Sequence, residues 1–488
     1  MITRDITRLI VLLIFLGAIM LFNSLSFAVF LPIVCLLFWL VPQRKRWIVL
    51  LLSSYYFYMS WNVKYVVLIL FTTVVSYVTA ILIEKAEKKK AKLILALAAV
   101  VASLSVLFVF KYFNFAFATL VRVCNMISIP LQPFTLQLML PVGISFYTFQ
   151  TLSYVLDVYY GKVAAEKHFG KYATFISFFP QLVAGPIERT DHLLTQINQK
   201  EYKFRYDNAS YGLKLMAWGF FKKLVIADNL AVYVDQIFED VHYYHGFCMV
   251  LAILFFTLQI YCDFSGYSDI AIGCARLFDV ELMTNFKSPY FSNSIREFWT
   301  RWHISLSTWF RDYVYIPLGG NRVSKFRNCV NVMVTFLVSG LWHGAAFTYV
   351  IWGGIHGLLQ IMERFFLGKK KMPKLIVFLL VAFAWTFFRA QSLSDAVYVL
   401  MHMFDGIGQA GYLSSVMDIF DLNVFGIVCL LIPIVLLFVY DYVALKVDPI
   451  VIISKQKPVI RWVIYYVFVL FILLFASFSA QEFVYFQF

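Results

Sequence analysis

Two imidazoles, His303 and His343, carry most of the chemical promise of this chain, with His356 a lesser third. His343 and His356 lie in a run of 35 residues, Asn328 to Met362, that contains no formally charged side chain. As one straight helix this run would be about 52 Å long, against a hydrocarbon core of about 30 Å, so it must fold back on itself. The turn is expected at Gly340-Leu341-Trp342-His343-Gly344, where two glycines tolerate broken backbone geometry. Each arm of such a hairpin has about 16 residues, or about 24 Å, which leaves His343 inside the membrane. Ionisable groups there are costly and are usually kept at reaction centres or transport paths. An imidazole with an ordinary pKa of about 6.5 suits the removal of a hydroxyl proton as that oxygen attacks a thioester. The competing reading is a structural histidine bonded to a nearby carbonyl. His356, beside Gly353-Gly354, reads as packing.

His303 follows a different signal. Ser294 with Glu297 three positions later forms a capping-box pattern and predicts a helix start. On that helix Trp299, His303, Leu306 and Phe310 would share one face. Arg296, Arg301, Arg311, Asp312, Arg322, Lys325 and Arg327 alternate with aromatics, as in an interfacial helix whose charged tips reach headgroups or a phosphorylated ligand. A lipid-surface anchor containing a satisfied histidine is the plainer alternative. The string Cys262-Asp263-Phe264-Ser265-Gly266-Tyr267-Ser268-Asp269 puts two acids in an apolar run, where they either line a donor vestibule or mark a local helix break. Gln150 and Asp157 read as structural polar groups.

The elements that must position these residues are set by composition. With 62% hydrophobic and 14% charged residues over 488 positions, a water-soluble domain is excluded. The fold class is an all-α, polytopic helical membrane protein, with re-entrant segments around a central vestibule; no ten-residue alternation supports a barrel. The net charge of +14 comes from short Lys and Arg clusters between apolar runs, which mark an inner face and argue against nucleic acid. Seven scattered cysteines have neither disulfide nor metal spacing, so no metal site is expected. Gly406-Ile407-Gly408-Gln409-Ala410-Gly411 follows no strand, and His242 with His245 has no third ligand nearby. P-loop, HExxH and GxSxG patterns are absent.

Apolar runs predict crossings near 8–23, 28–41, 47–60, 63–83, 93–117, 139–159, 209–232, 246–278, 327–343, 344–366, 375–391, 424–442 and 462–480. Placing Arg4 and Arg8 in the cytoplasm puts Arg44-Lys45-Arg46, the Lys85–Lys92 cluster, Lys162–Lys171, Lys369–Lys374 and Lys446–Arg461 on the same side, and acid-leaning loops outside. Segments 170–207 and 279–326 fit no simple crossing and read as re-entrant or interfacial. Residues 1–19 form an N-terminal extension or anchor, with Met20 an alternative start, and 20–488 a single membrane domain.

The run RWHISLSTWFRDYVYIPLGGNR from Arg301, followed by SGLWHGAAFTYVIWGGIHG from Ser339, closely resembles the membrane-bound O-acyltransferase family, in its alginate O-acetylation branch. Supporting strings are PVGISFYTFQTLSYVLDVYYG from Pro141, FFPQLVAGPIER from Phe178, YCDFSGYSDIAIG from Tyr261 and WTFFRAQSL from Trp385. The likeness spans roughly residues 20 to 400. It implies a many-helix bundle with a conical vestibule in a bacterial inner membrane, with His343 as the catalytic histidine and His303 as the second motif histidine. It further implies an acetyl-CoA or acyl carrier thioester as donor substrate, with no permanently bound cofactor, and a polysaccharide acceptor. An extracytoplasmic SGNH-type acetyltransferase is the implied partner, consistent with the missing serine nucleophile. Within the family, D-alanyl transfer to teichoic acid and peptidoglycan O-acetylation remain alternatives. Outside it, a polysaccharide or lipid-linked sugar transporter would also have membrane-embedded histidines, and a non-catalytic scaffold for the external partner would need the chain but not its imidazole.

Overall fold

The structure is a computed structural model that describes residues 19–199, 201–368, 370–409, 411–477 and 483–484. Among these residues the regular elements are all helical, with no strand. Among the described residues five helices are long and apolar enough to cross a bilayer: Val63–Lys85, Lys89–Met126, Phe247–Arg276, Val424–Ala444 and Pro458–Phe475. The remaining expected crossings from 28 onward are helices too, but shorter or less apolar, such as Leu25–Leu40, Arg46–Met59, Ile144–Tyr159 and Lys374–Arg389. The extension expected at 1–19 lies outside the described residues except for Ile19, as does most of the first crossing, whose described end is a turn.

Close contacts divide the chain into two compact units, Met1–Leu213 with Ile270–Met283, and Lys214–Asp269 with Thr284–Phe488. In the first, the 170–207 segment is irregular, with short helices Phe169–Ser177, Phe179–Leu182 and Thr195–Asn198. Irregular backbone is tolerated at depth only when protein groups satisfy it, and here they do. Ser54 Oγ accepts from Phe179 N at 3.0 Å, Gln150 Nε2 donates to the Phe175 carbonyl at 2.8 Å, and Gln181 Nε2 donates to Gln150 Oε1 at 3.0 Å. Gln150 is thus a backbone-satisfying group, and Asp157 pairs with Lys162 at 3.1 Å.

The second unit holds the histidines. Its core centres on three fully buried tryptophans: Trp352 stacks on Trp385 at 5.3 Å between centroids, and Trp302 packs on Trp385 at 5.0 Å. The uncharged 328–362 run folds back as expected, into helices Lys325–His343 and Phe347–Met362 joined by Gly344-Ala345-Ala346. Ser324 starts the first arm by accepting from Arg327 N at 3.3 Å.

The glycines work differently from the expectation. None in the turn has a left-handed backbone; instead they let the arms touch. A Cβ on Gly340 would sit 2.2 Å from the Tyr349 carbonyl oxygen, and one on Gly353 2.2 Å from that of Phe336. Small residues at a membrane helix crossing permit this approach. Gly353→Ala is therefore expected to force the arms apart and lower stability by about 1–3 kcal/mol. Gly354→Ala, whose Cβ would meet only Leu337 Cδ2 at 3.4 Å, should melt like the parent. Thermal denaturation of the detergent-solubilised variants compares the two, and equal melting would refute the close-contact role.

Helices Val424–Ala444 and Pro458–Phe475 carry large exposed apolar side chains such as Val435, Val467 and Leu474, the surface expected against lipid.

Candidate active site

His343 is the last residue of the first hairpin arm, and its ring is almost fully buried, at 3% exposure. Aromatic neighbours hold it nearly edge-on: Trp342 at 5.0 Å between centroids, Trp352 at 5.1 Å and Phe388 at 5.4 Å. The two motif histidines are brought together, with 6.4 Å between ring centroids. Ring atoms lie about 1.2 Å from each centroid, so about 4 Å separates the nearest atoms, beyond direct hydrogen bonding. Trp342 touches both rings, meeting His303 at 6.1 Å.

The path to His303 departs from the sequence expectation. The helix that starts at Ser294 stops at Arg301; a second helix runs from Ile304 to Phe310, and His303 between them has φ +42° and ψ +55°. Trp299, His303, Leu306 and Phe310 therefore do not share one helical stripe. A left-handed backbone at a residue other than glycine costs on the order of 1–3 kcal/mol and recurs at functional sites, where surrounding structure must hold it. Here Asn285 holds it: its carbonyl oxygen accepts from Ile304 N at 3.0 Å, and its side chain meets His303 and Ser305. The capping box is modified as well. Ser294 Oγ accepts from Glu297 N at 2.9 Å, but Glu297 Oε2 accepts from Asn293 N, one residue beyond the cap. Burial pushes the Glu297 carboxyl up, yet the Asn293 bond and the Arg301 guanidinium, 2.8 Å away, outweigh it and hold the group below its ordinary value.

His356 is fully buried, accepts from Trp299 Nε1 at its Nδ1 (3.3 Å), and packs on Trp352 at 5.1 Å. It thereby links the helices Ile295–Arg301 and Phe347–Met362.

A cavity of about 660 Å³ opens beside the hairpin. Exposed Arg296, Arg311 and Arg364 line it, as do buried Trp299, Leu306, Phe310 and Ser339. Asp312, 2.7 Å from Arg311, holds that guanidinium above its ordinary value. Ser339 is one turn before His343 on the same helix face, about 6 Å along the axis.

The acids of the Cys262–Asp269 string neither break their helix nor line this cavity. Phe247–Arg276 is continuous, and both are ion-paired: Asp263 Oδ1 with Lys223 at 2.7 Å, and Asp269 Oδ2 with Lys222 at 2.7 Å. Lys223 also meets Asp228 at 2.8 Å. Sequence reasoning missed both lysines, although an adjacent pair of cations deep inside the apolar 209–232 run was a signal that buried acids must face them. Asn285 was missed too, since no local pattern distinguishes it.

Residues 164–393, which include all three histidines, match the membrane-bound O-acyltransferase family model. The chain is 42% identical over 395 residues to a probable alginate O-acetylase of Pseudomonas aeruginosa, an alignment covering 79% of this chain and 75% of that protein. It is 37% identical over 394 residues to a peptidoglycan O-acetyltransferase of Helicobacter pylori, with 74% and 73% covered. A teichoic acid D-alanyltransferase of Bacillus subtilis is more distant, 28% identical over 233 residues, with 46% of this chain and 59% of that protein covered. With the paired imidazoles on matched residues and the likeness extending over most of its length, the chain belongs to the membrane-bound O-acyltransferase family and is a multi-pass O-acyltransferase.

Proposed function

We propose that the chain passes an acetyl group from a cytoplasmic thioester donor across the bacterial inner membrane, for O-acetylation of an exported, alginate-like polysaccharide. The observation that carries this reading is the cavity, with arginines at its exposed end and Ser339, one turn from His343, at its buried end. Arg364 and Gly368 adjoin the Lys369–Lys374 cluster in sequence, and the positive-inside rule supports a cytoplasmic setting for that end. Guanidinium groups bind phosphate oxygens through paired, charge-assisted bonds. A donor carrying phosphates, acetyl-CoA or a carrier-bound thioester, would anchor there and extend its acyl end inward.

The chemistry then needs one base. An acceptor hydroxyl attacks the thioester carbonyl while His343 takes its proton; the C–S bond breaks, and the imidazolium returns the proton to the departing thiolate. His303 orients the donor or acceptor from the other side of the gap. An extracytoplasmic SGNH-type acetyltransferase, which would supply the serine nucleophile, completes delivery to the polymer.

Proteoliposomes containing the purified chain and supplied with radiolabelled acetyl-CoA test the donor side. Replacing Arg296, Arg311 and Arg364 by Gln should raise the donor KM at least about tenfold with little change in kcat, the pattern of lost uniform binding. Unchanged donor KM would remove the arginines from donor binding. Use of a D-alanyl carrier but not acetyl-CoA would move the chain to the teichoic acid reaction.

A further inference from the structure

We infer that Asn285 is a positioning residue that fixes the tautomer of His303; this rests on the proposed role of His303 in acyl transfer. The side chain is fully buried. Its Oδ1 accepts from Ser305 N at 3.2 Å and from Ser305 Oγ at 2.8 Å, and its Nδ2 donates to Ser268 Oγ at 3.3 Å. A backbone N–H can only donate, so the atom facing Ser305 is the amide oxygen and the amide cannot be flipped. That oxygen also faces His303 Nδ1 at 3.3 Å. An amide oxygen can only accept, so Nδ1 carries the hydrogen and Nε2 holds the lone pair.

The same residue fixes the ring in space. Its backbone carbonyl takes Ile304 N, while its side chain takes the next amide, that of Ser305. These bonds clamp the start of the helix that follows His303 and hold the left-handed turn in place. Ser268 anchors the amide from the Phe247–Arg276 helix. Asn285 thus sets both the direction of the imidazole and which nitrogen acts as acceptor, without touching a reactant.

Asn285→Ala removes the acceptor; Asn285→Asp keeps an oxygen towards His303 and Ser305 and presents its second oxygen to the Ser268 hydroxyl, which can donate. At matched abundance, Asn285→Ala should lower kcat by about 10- to 100-fold with donor KM within about twofold. Asn285→Asp should retain most activity with its pH–rate profile moved to higher pH, because the added carboxylate makes the imidazole more basic. Nitrogen-15 spectra of histidine-labelled protein, with the His303 signal assigned by its loss in His303→Ala, read the tautomer directly. An Nδ1–H signal that persists unchanged in Asn285→Ala overturns the inference, whatever the activity does. A tautomer that shifts in Asn285→Ala while His303→Ala keeps its full kcat overturns instead the role given to His303.

Discussion

Replacing His343 by Ala or Asn is expected to lower acetyl transfer by about 10²- to 10⁴-fold, the usual contribution of a positioned general base, while leaving protein abundance unchanged. Asn is the sharper substitution, because it fills the space among Trp342, Trp352 and Phe388 with a polar group that cannot take a proton at neutral pH. The measurement is O-acetyl content per unit of exported polymer, alongside membrane abundance of the chain. Full acetylation by a stably inserted His343→Asn protein would end the base assignment, and would favour a scaffold if deleting the chain abolished acetylation. Polymer retained inside the cell would point to transport instead. An imidazole in a largely closed aromatic site has few tasks other than moving protons or bracing the fold. His343→Gln serves as a control for bracing.

The second large effect concerns stability. Lys223 is 1% exposed and ion-paired to two carboxylates that are themselves 2% exposed, Asp228 at 2.8 Å and Asp263 at 2.7 Å. Lys223→Met would leave both acids buried without their cation, and removing one partner of a buried pair costs about 3–5 kcal/mol. That is a large part of the about 5–15 kcal/mol that holds a typical protein together. The variant should therefore be recovered in low yield and melt well below the parent by fluorescence-detected gel filtration. Lys222→Met should be milder, because Asp269 is 21% exposed and can recruit water. The triple change Lys223→Met, Asp228→Asn, Asp263→Asn should regain much of the loss, since it removes the unpaired charges with the cation. A Lys223→Met protein that melts like the parent would show that the cluster is not a structural keystone.

Much of this arrangement could be read before any coordinates. The helical crossings followed from run length against bilayer thickness, and the hairpin from a 35-residue uncharged stretch too long to span once. The placing of His343 at the fold-back could be read because that is a one-dimensional fact. What could not be read was three-dimensional in origin. His303 was assigned to a helical face because periodicity assumes an unbroken helix; the break comes from Asn285, eighteen positions upstream, whose bonds override local propensity. The ion pairs joining 222 and 223 to 263 and 269 needed knowledge of which helices meet. The hairpin glycines were recognised as a group, but their use lay in contact between backbones rather than in torsional freedom.

The lining of the cavity includes Ser339, one turn before a nearly buried His343. At 3% exposure the imidazole is largely shielded from bulk water. A base kept from solvent seldom activates water in place of an acceptor hydroxyl, because a solvent-excluded site suppresses side reactions of this kind. The turn of helix between Ser339 and His343 is thus a partition between a wet cavity and a drier imidazole.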